Sequence, residues 1–359
     1  MALLCLSGAD VALVASKFAP DTLQTLMAHV FYTLSSNSTT SFTPHRITIP
    51  TPNHTALFMP ARIAGRLQGT SVKIVCVPTS PADLRGLPAS TLVLDEDTGA
   101  VKAILNASNL TALRNAAGSL LSLNLIGPRP EVLKNLVVFG AGAQIRAHLD
   151  LILNAFPNIS AVNIVNRSVN ERAEKLATHV RSRFPSVRVE CLAHDPTAPN
   201  PTTQTAVSSA HLIICATSST IPLFPSAWVR DGTHIVLIGS YKPSMHEVDA
   251  ALVHRALLST PSALLVDSRA ACLEEAGELI TAGVDASQVV EIGELVSLNE
   301  SGEPVFDRST LSTEEPRTGT AGRVTIFKSV GVGLQDVAIA CAIVDEAQRM
   351  GVGSHVDWA

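Results

Sequence analysis

The tract Val137-Val138-Phe139-Gly140-Ala141-Gly142-Ala143-Gln144-Ile145 joins a short apolar run to a helix-forming stretch through two glycines. Gly140 suits a tight turn, and Gly142, lacking a Cβ, lets a ligand approach the backbone. A helix beginning at Ala143 and Gln144 would turn unpaired N–H groups and its positive dipole end toward a pyrophosphate. Ile145 stands where a third small residue would ease the packing of helix on sheet, so the dinucleotide pattern is incomplete. The next apolar run ends at Asn166-Arg167-Ser168. No carboxylate is present there to bind the ribose 2′-hydroxyl of NAD. Arg167 can instead meet a 2′-phosphate with a charge-assisted bond, and Ser168 can add another. The expected cofactor is therefore NADP(H).

The elements that would carry these turns follow from the apolar pattern. Short apolar runs recur at 136–139, 162–165, 187–192, 212–216, 235–238 and 264–266. Ile145, Leu149, Ile152, Leu153 and Phe156 form one face of a helix between the first two runs. Ala173, Leu176, Ala177, Val180 and Phe184 form the face of another between the second and third. Apolar strands joined by amphipathic helices predict a parallel sheet covered on both faces. Before this region a helix is expected from about Asn109 to Leu125, closed by Gly127-Pro128-Arg129-Pro130. After it come a polar segment at 309–323, a strand at 324–327 and a last helix at about 334–350, with Gly351 placed to end it. At the N-terminus, Asp10 interrupts the apolar residues and no basic region precedes them, which predicts a strand to Leu6 and a helix capped near Ser7 rather than a signal peptide.

Composition narrows the function classes. A chain of 359 residues, 46% hydrophobic, can bury the cores of about two domains. A net charge of −5 with 4% aromatic residues provides neither a basic field nor stacking platforms for nucleic acid. No stretch approaches the roughly 18 uninterrupted apolar residues of a membrane span, so a soluble, cytoplasmic protein is expected. The six cysteines are widely spaced and read as buried free thiols. None of the eleven histidines forms an HxH or HxxxH pair, and no metal site is expected.

Four segments together resemble the ornithine cyclodeaminase/mu-crystallin family. They are Pro44-His45-Arg46 with Met59-Pro60; residues 91–99 running into Leu110-Thr111-Ala112-Leu113-Arg114; the glycine tract; and residues 324–331, which contain Phe327-Lys328-Ser329-Val330-Gly331. The likeness implies an α/β protein. A Rossmann-type parallel-sheet domain at 126–324 would accompany an α+β substrate-binding and dimerisation domain built from 1–125 and 325–359. The active site would lie between them, in a homodimer.

The resemblance further implies Arg46, Lys73 and Arg114 as the substrate's carboxylate-binding groups. That assignment is chemically sensible for a 2-imino or 2-oxo acid. Arginine supplies a bidentate clamp, while lysine supplies a compact charge or a proton at the reacting double bond. Lys73 is accordingly expected in catalysis, and Arg46, Arg114 and Tyr241 at the substrate. Thr91, Gly140, Ala141, Gly142, Ala143, Gln144, Asn166, Arg167, Ser168, Thr217, Ser218, Gly239 and Ser329 are expected at the cofactor. Two departures matter. Cyclodeaminases of the family carry Glu where Leu57 stands and Asp where Tyr241 follows Gly239-Ser240. Ring closure with ammonia loss needs acid–base groups that Leu57 cannot supply and Tyr241 supplies poorly. The implied activity is NADPH-dependent reduction of a carboxylate-bearing, cyclic imine such as pyrroline- or piperideine-2-carboxylate. An NAD-using ornithine or lysine cyclodeaminase, an NADP-dependent amino-acid or amine dehydrogenase, and a non-catalytic ligand-binding protein stand as alternatives.

Overall fold

The structure, a computed structural model, describes residues 2–36, 39, 41–80, 86–198, 200–259, 261–306 and 323–358. The polar segment expected at 309–323 lies outside these residues except for Arg323. The chain forms two compact units, Met1–Arg114 with Val332–Ala359 and Asn115–Gly331.

The first unit opens with strand β1 (Ala2–Leu6) and helices α1 (Gly8–Ala15) and α2 (Pro20–Ser35). Ser7 caps α1 in a reciprocal capping box with Asp10, as the sequence predicts. Strands β2 (Ile47–Pro50), β3 (His54–Ile63), β4 (Gly69–Pro78), β5 (Ala89–Leu94) and β6 (Val101–Asn106) follow, then helix α3 (Leu110–Ile126), within which the two units divide.

The second unit continues with β7 (Asn135–Phe139), α4 (Ala143–Ala155), β8 (Ala161–Asn166), α5 (Glu171–Arg183), β9 (Arg188–Ala193), α6 (Pro201–Ser209), β10 (Leu212–Cys215) and β11 (Thr233–Leu237). It ends with α7 (Ala250–Leu257), β12 (Leu264–Val266), α8 (Arg269–Glu275), α9 (Gly277–Thr281), β13 (Val290–Glu291), the small pair β14 (Ser297–Leu298) and β15 (Pro304–Val305), and β16 (Val324–Lys328). Helix α10 (Gly333–Met350) and β17 (Ser354–Asp357) return to the first unit. Gly351 closes α10 in the left-handed conformation, at φ 66°.

In the first unit seven strands run in the order β17-β1-β6-β5-β4-β3-β2. All neighbouring pairs are antiparallel except β1 with β6. Helix α10 lies against β3, β4 and β5. Gly69 permits this approach, because a Cβ there would meet the Cys341 sulfur. The apolar segments at 74–77 and 92–94 could by pattern belong to a sheet edge or a sheet interior. Both lie inside the sheet as β4 and β5, and the edges are β2 and β17. Burial of a sheet interior leaves the same apolar signature as a covered edge, so pattern alone does not separate them.

In the second unit eight parallel strands run β13-β12-β16-β11-β10-β7-β8-β9. The apolar runs read from the sequence are strands β7 to β12, with β9 at one edge of the sheet. Their buried residues, among them Val137, Phe139, Ile213, Cys215, Ile235 and Leu264, form a continuous core. Strand β16, from the segment expected to return to the terminal unit, is instead built into this sheet between β11 and β12. The chain leaves only after Gly331, at φ 86°. Of the six cysteines, all unpaired, Cys215 and Cys272 are buried and the other four are half-buried.

Candidate active site

Strand alternation decides where Lys73 points. On β4, Gly69, Ser71 and Lys73 share the buried face, and Gly69 already marks that face as the one under α10. Thr91 of β5 and Met59 of β3 are the cross-strand partners of Lys73, and Thr91 is buried beside it. The Lys73 ammonium meets the Asp336 carboxylate of α10 at 2.6 Å. Thr111, on the first turn of α3, lies 3.5 Å from the Lys73 nitrogen. One turn along, Arg114 reaches the same carboxylate at 3.2 Å and donates to Gln335 Oε1 at 2.6 Å. Gln335 Oε1 also accepts from the Val332 N–H, which fixes its orientation. Asp336 sits in the first turn of α10, where the helix dipole favours a negative charge.

Two cations thus share a single carboxylate, with all three side chains at most 4% exposed. Burial pushes the Lys73 ammonium below the ordinary lysine value. Asp336 opposes the shift, and the Arg114 and Arg46 guanidiniums add to it. Arg46 is half-buried and within electrostatic reach of Lys73. Burial acts to raise the Asp336 carboxyl, but Lys73 and Arg114 outweigh it and hold the group below the usual aspartate value. A carboxylate shared by two cations is a setting in which a negatively charged ligand would be a favourable further partner. Arg46, Lys73, Thr91 and Arg114, all singled out in the sequence, belong to this unit. Asp336 and Gln335 were missed. An acidic residue in a helix first turn reads as an ordinary dipole partner, and only the fold brings it to residues more than 200 positions away.

The other expected residues belong to the second unit, mostly at the carboxyl ends of its parallel strands. Gly140 follows β7 at φ 108°, a conformation glycine adopts without strain, and a Cβ there would press on the Ala216 carbonyl. Gly142 is the N-cap of α4 and offers no capping side chain. The space a Cβ would fill at Gly142 is empty. Ala143 is exposed and Ala141 and Gln144 are half-buried, so N–H groups of the first turn are open to an anion. Asn166 ends the neighbouring β8, and its side chain donates to the Ser168 carbonyl, while Arg167 and Ser168 are exposed. This backbone geometry fits a dinucleotide pyrophosphate.

Thr217 and Ser218 follow β10, and Gly239 follows β11. The Tyr241 ring, two residues on, lies 5.6 Å from the Lys242 ammonium. Ser329 follows β16 and is buried, with its hydroxyl donating to Asp267 at 2.7 Å. Asp267 also accepts from the Gly331 N–H and holds the turn that leaves the sheet. Among the described residues, no group of three or more His, Cys, Asp or Glu side chains is placed to hold a metal ion.

Comparison with known proteins identifies the family. The family model of the ornithine cyclodeaminase/mu-crystallin family matches residues 11–351. The chain belongs to that family. Ketimine reductase mu-crystallin of Rattus norvegicus is 31% identical over 257 residues, covering 72% of this chain and 69% of that protein. A Delta(1)-pyrroline-2-carboxylate reductase of Bacillus cereus is 27% identical over 327 residues, covering 89% and 90%. Among solved structures, the Delta(1)-pyrroline-2-carboxylate reductase of Thermococcus litoralis, in complex with NADH and L-proline, superposes with a TM-score of 0.78 at 23% identity. The match covers 98% of this chain and all of that one. An archaeal alanine dehydrogenase dimer with bound NAD gives 0.76 at 19% identity and full coverage of both chains. These structural likenesses establish the fold of the family. Within it, Leu57 lies on β3 opposite Val75, with no acid–base group at its position.

Proposed function

We propose that this protein is an oxidoreductase that reduces a carboxylate-bearing, cyclic imine with NADPH, of the pyrroline- or piperideine-2-carboxylate type. The observation that carries the reading is the buried set of Lys73, Arg114 and Asp336, two cations on one carboxylate, with Arg46 within electrostatic reach. The named activities of the ketimine and pyrroline-2-carboxylate reductases in the family support the substrate class.

Reduction of a C=N bond takes a hydride at carbon and a proton at nitrogen. The nicotinamide supplies the hydride when bound. Residues 140–144, at the start of α4, would hold the pyrophosphate through the backbone. Thr91, Thr217, Ser218, Gly239 and Ser329 remain candidates for the rest of the cofactor. Arg167, with Asn166 and Ser168, would bind the 2′-phosphate. Arg114 and Arg46 would hold the substrate carboxylate, with Tyr241 shaping the pocket. Lys73 would stabilise the imine and protonate its nitrogen. Its lowered affinity for the proton, caused first by burial, makes it a better acid than a surface lysine. Asp336 would keep the Lys73 ammonium and the Arg114 guanidinium aimed together.

The test is oxidation of NADPH and NADH against cyclic imino acids, against open-chain oxo acids with amines, and in their absence. Rapid turnover of a cyclic imino acid with NADPH is expected. Ammonia release from ornithine or lysine without added reductant, and no imine reduction, would overturn the assignment in favour of cyclodeaminase chemistry.

The protein is further read as a cytoplasmic homodimer. Six unpaired thiols support a reducing compartment. The edge strand β2 is exposed along its length, including Ile47 and Ile49, which supports pairing with a second copy. Among the described residues no helix is long and apolar enough to cross a membrane. Sedimentation at micromolar concentration should give the dimer mass, and a monomer would refute the pairing.

A further inference from the structure

Glu247 lies in no motif of the sequence, yet its buried carboxylate joins the ends of two strands. One oxygen accepts from the Thr217 N–H at 2.7 Å and from the Thr217 hydroxyl at 3.0 Å. The other accepts from the Gly239 N–H at 2.7 Å. Thr217 follows β10 and Gly239 follows β11, neighbouring strands of the parallel sheet. The two loops approach so closely that a Cβ on Gly239 would overlap the Thr217 backbone and the Glu247 carboxylate, so only glycine fits.

A second anchor holds the next residue. The Lys328 ammonium, from β16, donates to the Ser240 carbonyl at 2.5 Å and to its hydroxyl at 2.6 Å. It pairs with Glu278 at 3.0 Å, and the Ser240 hydroxyl donates to Glu278 in turn. Glu247, Glu278, Ser240 and Lys328 are all fully buried. Hydrogen bonds this numerous, out of water, hold the loops in one geometry before any ligand arrives.

In a parallel α/β sheet the ligand lies outside the carboxyl ends of the strands, on both sides of the point where the strand order reverses. Here that point separates β7, with its glycine turn, from β10 and β11. We propose that Glu247 is a positioning residue that clasps the loops after β10 and β11 so that Thr217, Ser218 and Gly239 are preset for the nicotinamide half of the dinucleotide. This rests on the dinucleotide reading above. The residue type follows from the donors: three converge on two oxygens, and only a carboxylate accepts at both. Glutamine would turn an NH2 group against a backbone N–H, and aspartate is one methylene too short to reach both loops. Ordering the loops in advance lowers the entropic cost of binding.

The test uses the full-length protein without substrate. Glu247→Gln should speed hydrogen exchange at the Thr217 and Gly239 amides and weaken calorimetric NADPH binding about ten- to a hundred-fold. Glu247→Asp, keeping one loop clasped, should lose less affinity. At saturating NADPH, the KM for the imino acid should stay near that of the wild type, which a general loss of structure would not allow. Wild-type NADPH affinity in Glu247→Gln overturns the clasp while leaving the dinucleotide reading intact. Should Glu247→Gln fail to fold by circular dichroism, wild-type affinity in Glu247→Asp overturns it equally. A wild-type protein that binds neither NADPH nor NADH removes the dinucleotide reading and the clasp with it.

Discussion

Lys73 and Lys328 are both buried lysines at the heart of a charge cluster, one in each unit, with opposite balances. Lys73 shares one carboxylate, Asp336, with Arg114. Lys328 pairs with Glu278 and lies within electrostatic reach of Glu247, so two carboxyls face a single ammonium. Burial alone would lower the affinity of Lys328 for its proton, but the two glutamates more than reverse this and raise it. For Lys73, burial and the Arg114 and Arg46 cations outweigh the pull of Asp336, and its affinity stays depressed. Burial pushes Glu247 up, and Lys328 limits the rise. The ammonium of Lys328 is also committed to Ser240, whereas Lys73 lies 3.5 Å from the Thr111 hydroxyl and shares its carboxylate with Arg114. A cluster whose charges are closed on the protein's own backbone builds structure. One in which two cations share a carboxylate suits a ligand of negative charge.

The largest expected effect breaks the comparison on the structural side. Lys328→Met leaves two buried carboxyls facing each other, and loss of one partner of a buried pair costs about 3–5 kcal/mol. Chemical denaturation should show that drop in stability, whereas Lys73→Met, which leaves Asp336 paired with Arg114, should unfold much nearer the wild type. Equal losses would mean that both clusters are structural.

Next in size is the chemical step. Lys73→Met should lower kcat roughly a hundred-fold or more, the scale of losing one electrostatic donor at the reacting bond, with NADPH binding intact by calorimetry. A near-normal kcat would reduce Lys73 to a core residue. Arg114→Met removes a group that meets the carboxylate in ground and transition states alike. KM should therefore rise about ten- to a hundred-fold with less change in kcat. An ester analogue of the substrate should be little affected. For Arg167→Ala, NADPH should bind about ten-fold or more weakly while NADH binding stays nearly unchanged. Equal losses for both dinucleotides would remove the 2′-phosphate assignment.

The smallest effect sharpens the electrostatic argument. A proton-donating Lys73 must be charged, so kcat should hold at lower pH and fall as pH rises through its depressed pKa. That alkaline limb should lie below the ordinary lysine value of about 10.4. Arg114→Met removes a neighbouring cation and should move the limb upward. Asp336→Asn removes the one neighbour that raises the pKa and should move it downward. A pH–rate profile unchanged in both variants would detach the limb from Lys73.

Legibility in the sequence differed between the two units for a physical reason. In the second unit, apolar parallel strands and amphipathic helices repeat a local pattern, and the glycine tract carries its own turn, so β7 to β12, α4, α5 and the cradle were readable. In the first unit, β2, β3 and β17 left no distinct signal, because antiparallel strands of mixed exposure alternate weakly. The placement of β16 inside the parallel sheet was equally hidden, since a short apolar strand does not name its neighbours.

The sequence by itself determined the alternation of strand and helix, the tight turn at Gly140, the uncapped start of α4, the absence of a carboxylate after β8 and the caps at Ser7 and Gly351. Each depends on residues within a few positions of one another, where dihedral preference and hydrogen bonding act locally. Tertiary structure alone decided that α10 crosses β4 closely enough for Asp336 to meet Lys73 and Arg114, and that Glu247 ties Thr217 to Gly239. Those contacts join residues 8 to 263 positions apart. Each depends on how closely packed elements approach, and even the short step from Glu247 to Gly239 has no local repeat to reveal it.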